Sequence, residues 1–240
     1  MKRTERHRLK QNELTVFTRR AAGVVDERRR EITGLLILII VASVAWIAYS
    51  FWRARVDGKA HVLLAEALVV QQARIGPPAA ATGTSGLTFP TERERFEAAA
   101  AKFKLVADTY PSTDDGIFGR YQEAASLMAL GKPADAAKAY QLVIDRSGDR
   151  LYGQMARLGL AEAQARAGQY DQAINAFKEL AQRKDGPLPV DGILMQLGRA
   201  YLDAGRPNEA QQTFNRLVEE FPDSPFNAEA KRQLETLKKA

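Results

Sequence analysis

The sequence predicts an all-α protein, in which one transmembrane helix near the N-terminus is followed by a solenoid of helical hairpins and a C-terminal capping helix. Two observations carry this prediction. An uncharged stretch of 21 residues runs from Ile32 to Trp52. The chain after it repeats itself with a period of 37 residues. The composition agrees, because 45% apolar and 27% charged residues are ordinary values for a globular chain.

The stretch Ile32–Trp52 has the length of a membrane span. As a helix it would be ~31 Å long, and the hydrocarbon core of a bilayer is ~30 Å thick. A cleaved signal peptide is the main alternative, but it would have a shorter apolar region and a small-residue cleavage site. This stretch instead ends in Trp46, Tyr49, Phe51 and Trp52, which is typical of an interfacial aromatic belt. We therefore predict that Ile32–Trp52 lies in a lipid bilayer.

The charge distribution indicates the orientation of this span. Residues 1–31 hold ten Lys and Arg against five Asp and Glu, whereas residues 53–240 hold 25 against 24. Since basic residues remain on the cytoplasmic side, residues 1–31 are predicted to form a basic cytoplasmic tail and residues 53–240 an exported domain. In a double-membraned bacterium the protein would lie in the inner membrane with this domain in the periplasm. The near-neutral domain lacks the cationic face that nucleic acid requires.

Three columns of residues keep the 37-residue period. They are Ala99, Ala136, Ala173 and Ala210; Phe103, Tyr140, Phe177 and Phe214; and Val106, Val143, Leu180 and Leu217. Gly131, Gly168 and Gly205 share the period, and a new helical pattern follows each of them, so each is predicted to end one helix and begin a turn. One repeat is therefore a helix, a tight turn and a second helix.

Nine helices are predicted after the membrane span. They cover residues 57–75, 91–109, 115–130, 133–146, 151–167, 170–182, 190–204, 207–220 and 225–238. These form four pairs and a cap, in which Ala228, Leu234 and Leu237 share one face. The Pro, Gly, Ala and Thr composition of residues 76–90 predicts a mobile loop, with a binding segment around Phe89 as the alternative.

The residues offer little chemistry for catalysis. The chain has no cysteine, and its two histidines, His7 and His61, are far apart in sequence. No phosphate-binding loop, dinucleotide fingerprint, zinc-protease motif or nucleophile elbow occurs. We therefore predict no catalytic residues, no cofactor and no metal site, and a protein that is not an enzyme.

The repeat resembles the tetratricopeptide repeat. The Ala-x3-Phe pattern occurs in all four copies, with Tyr140 as the one variant, and the first-helix pattern survives in the last copy as Leu197, Gly198 and Tyr201. Arg120 and Arg157 occupy the position of the family's Trp in the earlier copies. The resemblance implies a groove lined by the first helices of the hairpins, and therefore a protein-binding module.

The repeat register predicts which residues line this groove. They are Phe118, Tyr121, Met128, Met155, Leu158, Glu162, Arg166, Met195, Arg199 and Leu202. All three internal methionines belong to this set, and flexible thioethers suit a surface that accepts varied apolar segments. The alternative is that they pack against other parts of the same domain.

In its whole architecture the chain resembles the ancillary subunit of the bacterial Sec translocon, whose domain is related to periplasmic repeat proteins that coordinate cell division. This resemblance implies a role in secretion or periplasmic folding, with the translocon, a membrane-anchored periplasmic chaperone and exported chains as protein partners. The alternative is a structural scaffold for cell-envelope assembly or cell-division complexes.

Overall fold

The computed structural model describes residues 29–76, 86–183 and 186–239. These residues form nine helices and two short strands. The elements are α1 (Arg29–Gln71), β1 (Arg74–Ile75), β2 (Thr88–Phe89), α2 (Glu92–Thr109), α3 (Asp114–Ala129), α4 (Pro133–Ser147), α5 (Leu151–Arg166), α6 (Tyr170–Gln182), α7 (Val190–Asp203), α8 (Pro207–Glu220) and α9 (Asn227–Lys239). The all-α prediction is confirmed. Two compact units divide after Arg55.

The first unit contains the N-terminal part of α1. Over Thr33–Gln71 this helix is long and apolar enough to cross a membrane. Ser43 and Ser50 donate their hydroxyl protons to carbonyls one turn earlier, which satisfies both groups without water. The predicted basic tail lies, apart from its last three residues, outside the described residues. The sequence predicted a separate helix from residue 57, whereas α1 continues without a break to Gln71.

The second unit is a series of helical hairpins, and the predicted columns form its core. The alanine, aromatic and aliphatic columns are all buried. The predicted turn glycines Gly131, Gly168 and Gly205 have φ values of 69°, 78° and 71°, in the left-handed region that favours glycine. Pro133 and Pro207 each lie in the first turn of the helix that follows. The predicted 37-residue register is therefore confirmed.

The segment between α1 and α2 differs from its prediction as a mobile loop. β1 and β2 pair in parallel, with Arg74 opposite Thr88 and Ile75 opposite Phe89. Phe89 packs against a core cluster formed by the C-terminal part of α1 and by α2. An Arg95 guanidinium N–H donates to the carbonyl of Gln71 at 2.9 Å. Both ends of the predicted loop are thus fixed to the domain.

The C-terminal helix covers the last hairpin, as predicted for a cap. Ala230 and Leu234 are buried and Leu237 is half-buried against the core. Ala228 was predicted on this face but is exposed, because the buried residues follow the spacing i, i+4, i+7 from Ala230.

Aspartate–arginine pairs connect consecutive hairpins at their exposed ends. Each pair joins residues about one repeat apart. The pairs are Asp114 with Arg150, Asp149 with Arg183, and Asp171 with Arg206. All six side chains are at least 41% exposed, so each pair contributes at most about 1 kcal/mol.

Candidate functional site

Three helices, α3, α5 and α7, are the first helices of their hairpins and carry the predicted groove residues. Their positions depend on two glycines that allow close packing. A methyl group at Gly159 would overlap the ring of Tyr140, and one at Gly198 would overlap the ring of Phe214. Each glycine therefore leaves space for an aromatic side chain of a second helix beneath it.

An aromatic cluster occupies one part of this face. The rings of Phe118 and Tyr152 have centroids 5.5 Å apart, and those of Tyr121 and Tyr152 are 6.5 Å apart. Tyr121 also meets the buried Tyr140 edge to face at 5.6 Å. The cluster joins α3 to α5 and brings two of the predicted residues, Phe118 and Tyr121, together.

A polar cavity of about 250 Å³ lies between α5 and α7. Three predicted groove residues, Glu162, Arg166 and Arg199, line it. Gln196 and Asp203 also contribute, so both helices present charged and amide groups to the same space. The structure thus brings half of the predicted set into two neighbouring features, one aromatic and one polar.

Glu162 connects these two features electrostatically. Burial raises the pKa of the Glu162 carboxyl, and the nearby Arg166 opposes that shift. Burial also raises the pKa of the Tyr121 hydroxyl, with a further contribution from the charge of Glu162. Among the described residues Glu162 has no hydrogen-bond or ion-pair partner, so its carboxylate is available to a donor that enters the cavity.

Arg199 is already paired. Its guanidinium lies 2.6 Å from the Glu229 carboxylate of α9. The capping helix therefore fixes one side of the cavity, and Arg199 is less available to a ligand than its position on α7 alone suggests.

The methionine prediction needs correction at two of its three positions. Met195 is 1% exposed and Met128 is 8% exposed, and both belong to hydrophobic core clusters. Their thioethers already contact their own domain, as the alternative interpretation stated. Met155 is half-buried and remains a surface candidate. Leu158 and Leu202 are also half-buried, with part of each side chain packed on the core.

The sequence analysis missed three residues of this face. Tyr152 completes the aromatic cluster, and Gln196 and Asp203 line the polar cavity. A signal for the last two exists, because Gln196, Arg199 and Asp203 follow the i, i+3, i+7 spacing of one helix face. Tyr152 sits at the start of α5, outside the positions that the repeat motif marks.

Titratable side chains elsewhere do not assemble into a metal centre. In the parts of the chain that the structure describes, no three His, Cys, Asp or Glu residues are placed to hold a metal ion. His61 lies with its Nδ1 atom 3.4 Å from the Asp115 carboxylate, and its side chain is largely exposed.

Comparisons with known proteins support the repeat assignment. Two models of the tetratricopeptide repeat match adjoining stretches, one over residues 121–187 and the other over residues 166–234. No curated protein matches the sequence.

Solved structures share the fold at low sequence identity. The crystal structure of a Podosopora anserina kinesin light chain with nearly identical TPR-like repeats aligns with a TM-score of 0.57 and 13% identity, covering 76% of this chain and 87% of that one. A variant of it gives 0.58 and 14%, over 76% and 86%. YrrB, a TPR protein with an unusual peptide-binding site, gives 0.48 and 17%, over 58% and 68%.

The register of buried residues, the turn glycines and the two repeat models agree with one another. Such repeats suggest a protein-binding module. Residues 121–234 therefore carry the sequence pattern and the fold of tetratricopeptide repeats.

Proposed function

We propose that this protein is a membrane-anchored module that binds extended segments of other proteins outside the cytoplasm. Its site is the face of α3, α5 and α7, which we call the inner face. Its location is the bacterial inner membrane, with the N-terminus cytoplasmic and the repeats periplasmic. Its role is to assist secretion or periplasmic folding near the Sec translocon, with exported chains and a membrane-anchored chaperone as partners.

The observation that supports this proposal most directly is the inner face itself. The aromatic cluster offers an apolar surface for a side chain, while Glu162 and Gln196 offer an acceptor and an amide for the backbone of an extended segment. Because the repeat region is almost neutral, long-range electrostatic steering is weak, and short-range contact must supply the affinity. Arg166, exposed at the end of α5, would orient the segment.

The proposed membrane topology has a simple test. A reporter that is active only after export, fused after Ala240, should be active, because the basic residues of the tail hold the N-terminus in the cytoplasm. The purified chain should also retain its original N-terminus. An inactive fusion, or cleavage near residue 50, would contradict the anchor.

The binding role is tested by photo-crosslinking in living cells. A photoreactive residue at Arg166 should capture exported chains, the translocon or its chaperone, since Arg166 borders the polar cavity. The same residue at Gln172, which is exposed on α6, is the control and should capture little. Capture of cell-division proteins alone would favour the scaffold alternative.

A matched pair of methionine variants separates binding from stability in this assay. Met155→Gln should reduce capture about fivefold, because roughly 1 kcal/mol of apolar contact is lost at a half-buried position. Met195→Gln should instead lower the urea midpoint, since it buries an amide in the core. Unchanged capture by Met155→Gln would remove this residue from the site.

A further inference from the structure

An open apolar groove lies at the N-terminal end of the repeat unit. It has a volume of about 720 Å³ and lies between the C-terminal part of α1, the β2 segment and α2. Val69, Leu87 and Leu105 border it and are 61%, 46% and 49% exposed. Three large apolar side chains around one groove form the kind of exposed patch that marks an interaction surface.

The two ends of the solenoid are unlike each other. At the C-terminal end α9 buries Ala230 and Leu234 and presents charged residues on its other faces. Solenoids require such a polar terminal face to remain soluble. At the other end the first hairpin presents the groove, and within the described residues no helix covers it.

We infer that a second copy of this chain covers the groove, in a two-fold symmetric dimer. Two of its lining residues are charged, Glu66 on α1 and Lys102 on α2, with their charged atoms 3.1 Å apart. A two-fold rotation places α2 of one copy over α1 of the other, so that each Lys102 faces a Glu66 of its partner. The surface also carries both protruding apolar side chains and the hollow that receives them. It is therefore complementary to itself in charge and in shape.

The test exchanges these charges in the full chain, reconstituted in bilayer nanodiscs large enough for two copies. Glu66→Lys should weaken self-association about tenfold, because each interface then sets lysines against lysines, and Lys102→Glu should do the same with glutamates. An equimolar mixture of the two variants should recover association as a heterodimer. Repair within one chain cannot produce that recovery, since neither variant contains an attractive pair by itself.

Crosslinking checks the same geometry. The chain has no cysteine, so Ala101→Cys at the groove should form a disulfide between two copies under mild oxidation, whereas Gln172→Cys on α6 should not. Leu105→Glu should abolish the Ala101→Cys crosslink while helical content is retained, because Leu105 is half-exposed.

Three results would overturn the inference. The first is a monomeric full chain, as expected if residues 77–85 or another protein cover the groove. The second is a dimer that Leu105→Glu leaves intact, which would place the contact in the anchor. The third is a mixture of the charge variants that associates no better than either variant alone.

Discussion

Gly116→Ala should destabilise the repeat unit by about 3 kcal/mol or more. Gly116 lies in the first turn of α3 and is buried, and a methyl group there would overlap the carbonyl group of Tyr110. This obstacle is backbone, which moves less easily than a side chain. The equivalent position one repeat later, Gly153, has the same relation to the carbonyl of Gly148. The midpoint of urea unfolding, followed by circular dichroism of the full chain in detergent, measures the effect.

Gly58→Ala is the matched control for this change. Gly58 lies inside α1, is exposed, and has open space where the methyl group would be placed. The same substitution should therefore stabilise its helix by about 0.5–1 kcal/mol, because alanine loses less backbone entropy than glycine. Equal effects at both positions would show that the close approach of Gly116 to Tyr110 is wrong.

Arg120→Met should cost about 3–5 kcal/mol at neutral pH. Arg120 contacts Asp108 of α2, and its guanidinium lies 2.6 Å from the carboxylate of Glu123, a residue that is 7% exposed. Removing the guanidinium leaves Glu123 as an uncompensated buried charge. Burial already raises the pKa of Glu123, and Arg120 is the main opposing influence. The variant should raise that pKa further.

The sign of the pH dependence follows from this shift. A carboxyl whose pKa is higher in the folded than in the unfolded state stabilises the fold below its ordinary pKa, and this contribution is lost as the pH rises through the folded value. The deficit of Arg120→Met should therefore shrink between pH 7 and about pH 5. Adding Glu123→Leu should restore most of the stability at neutral pH, because a buried ion pair can be replaced by packed apolar groups. A deficit that is independent of pH would assign the loss to packing.

The repeat register was predictable because it depends on local and periodic information. The small, aromatic and aliphatic columns repeat where consecutive hairpins meet, and the glycine turns recur where the chain reverses. Even the departures from the family pattern have a physical reason. Arg120 occupies a position where the family has Trp, and it makes ion pairs with Asp108 and Glu123 instead of an aromatic contact.

The groove was only partly predictable because a register assigns a helix face without giving its depth. Met195 lies on the predicted helix but is buried by neighbouring elements, whereas Met155 is half-buried. Arg199 has the predicted position, but its partner Glu229 lies 30 residues later on a helix whose docking no local pattern encodes. Likewise, the pairing of β1 with β2 depends on contacts that the loop-like composition of residues 76–90 conceals.

The aspartate–arginine pairs between hairpins have a mechanical consequence. Each pair acts across the exposed end of one inter-repeat junction, where salt screens charges effectively. The hairpins themselves are held by apolar contacts that salt does not weaken. Ionic strength should therefore change the stiffness of the junctions while the repeats stay folded, so that the solenoid acts as an elastic spring that yields more easily in concentrated salt.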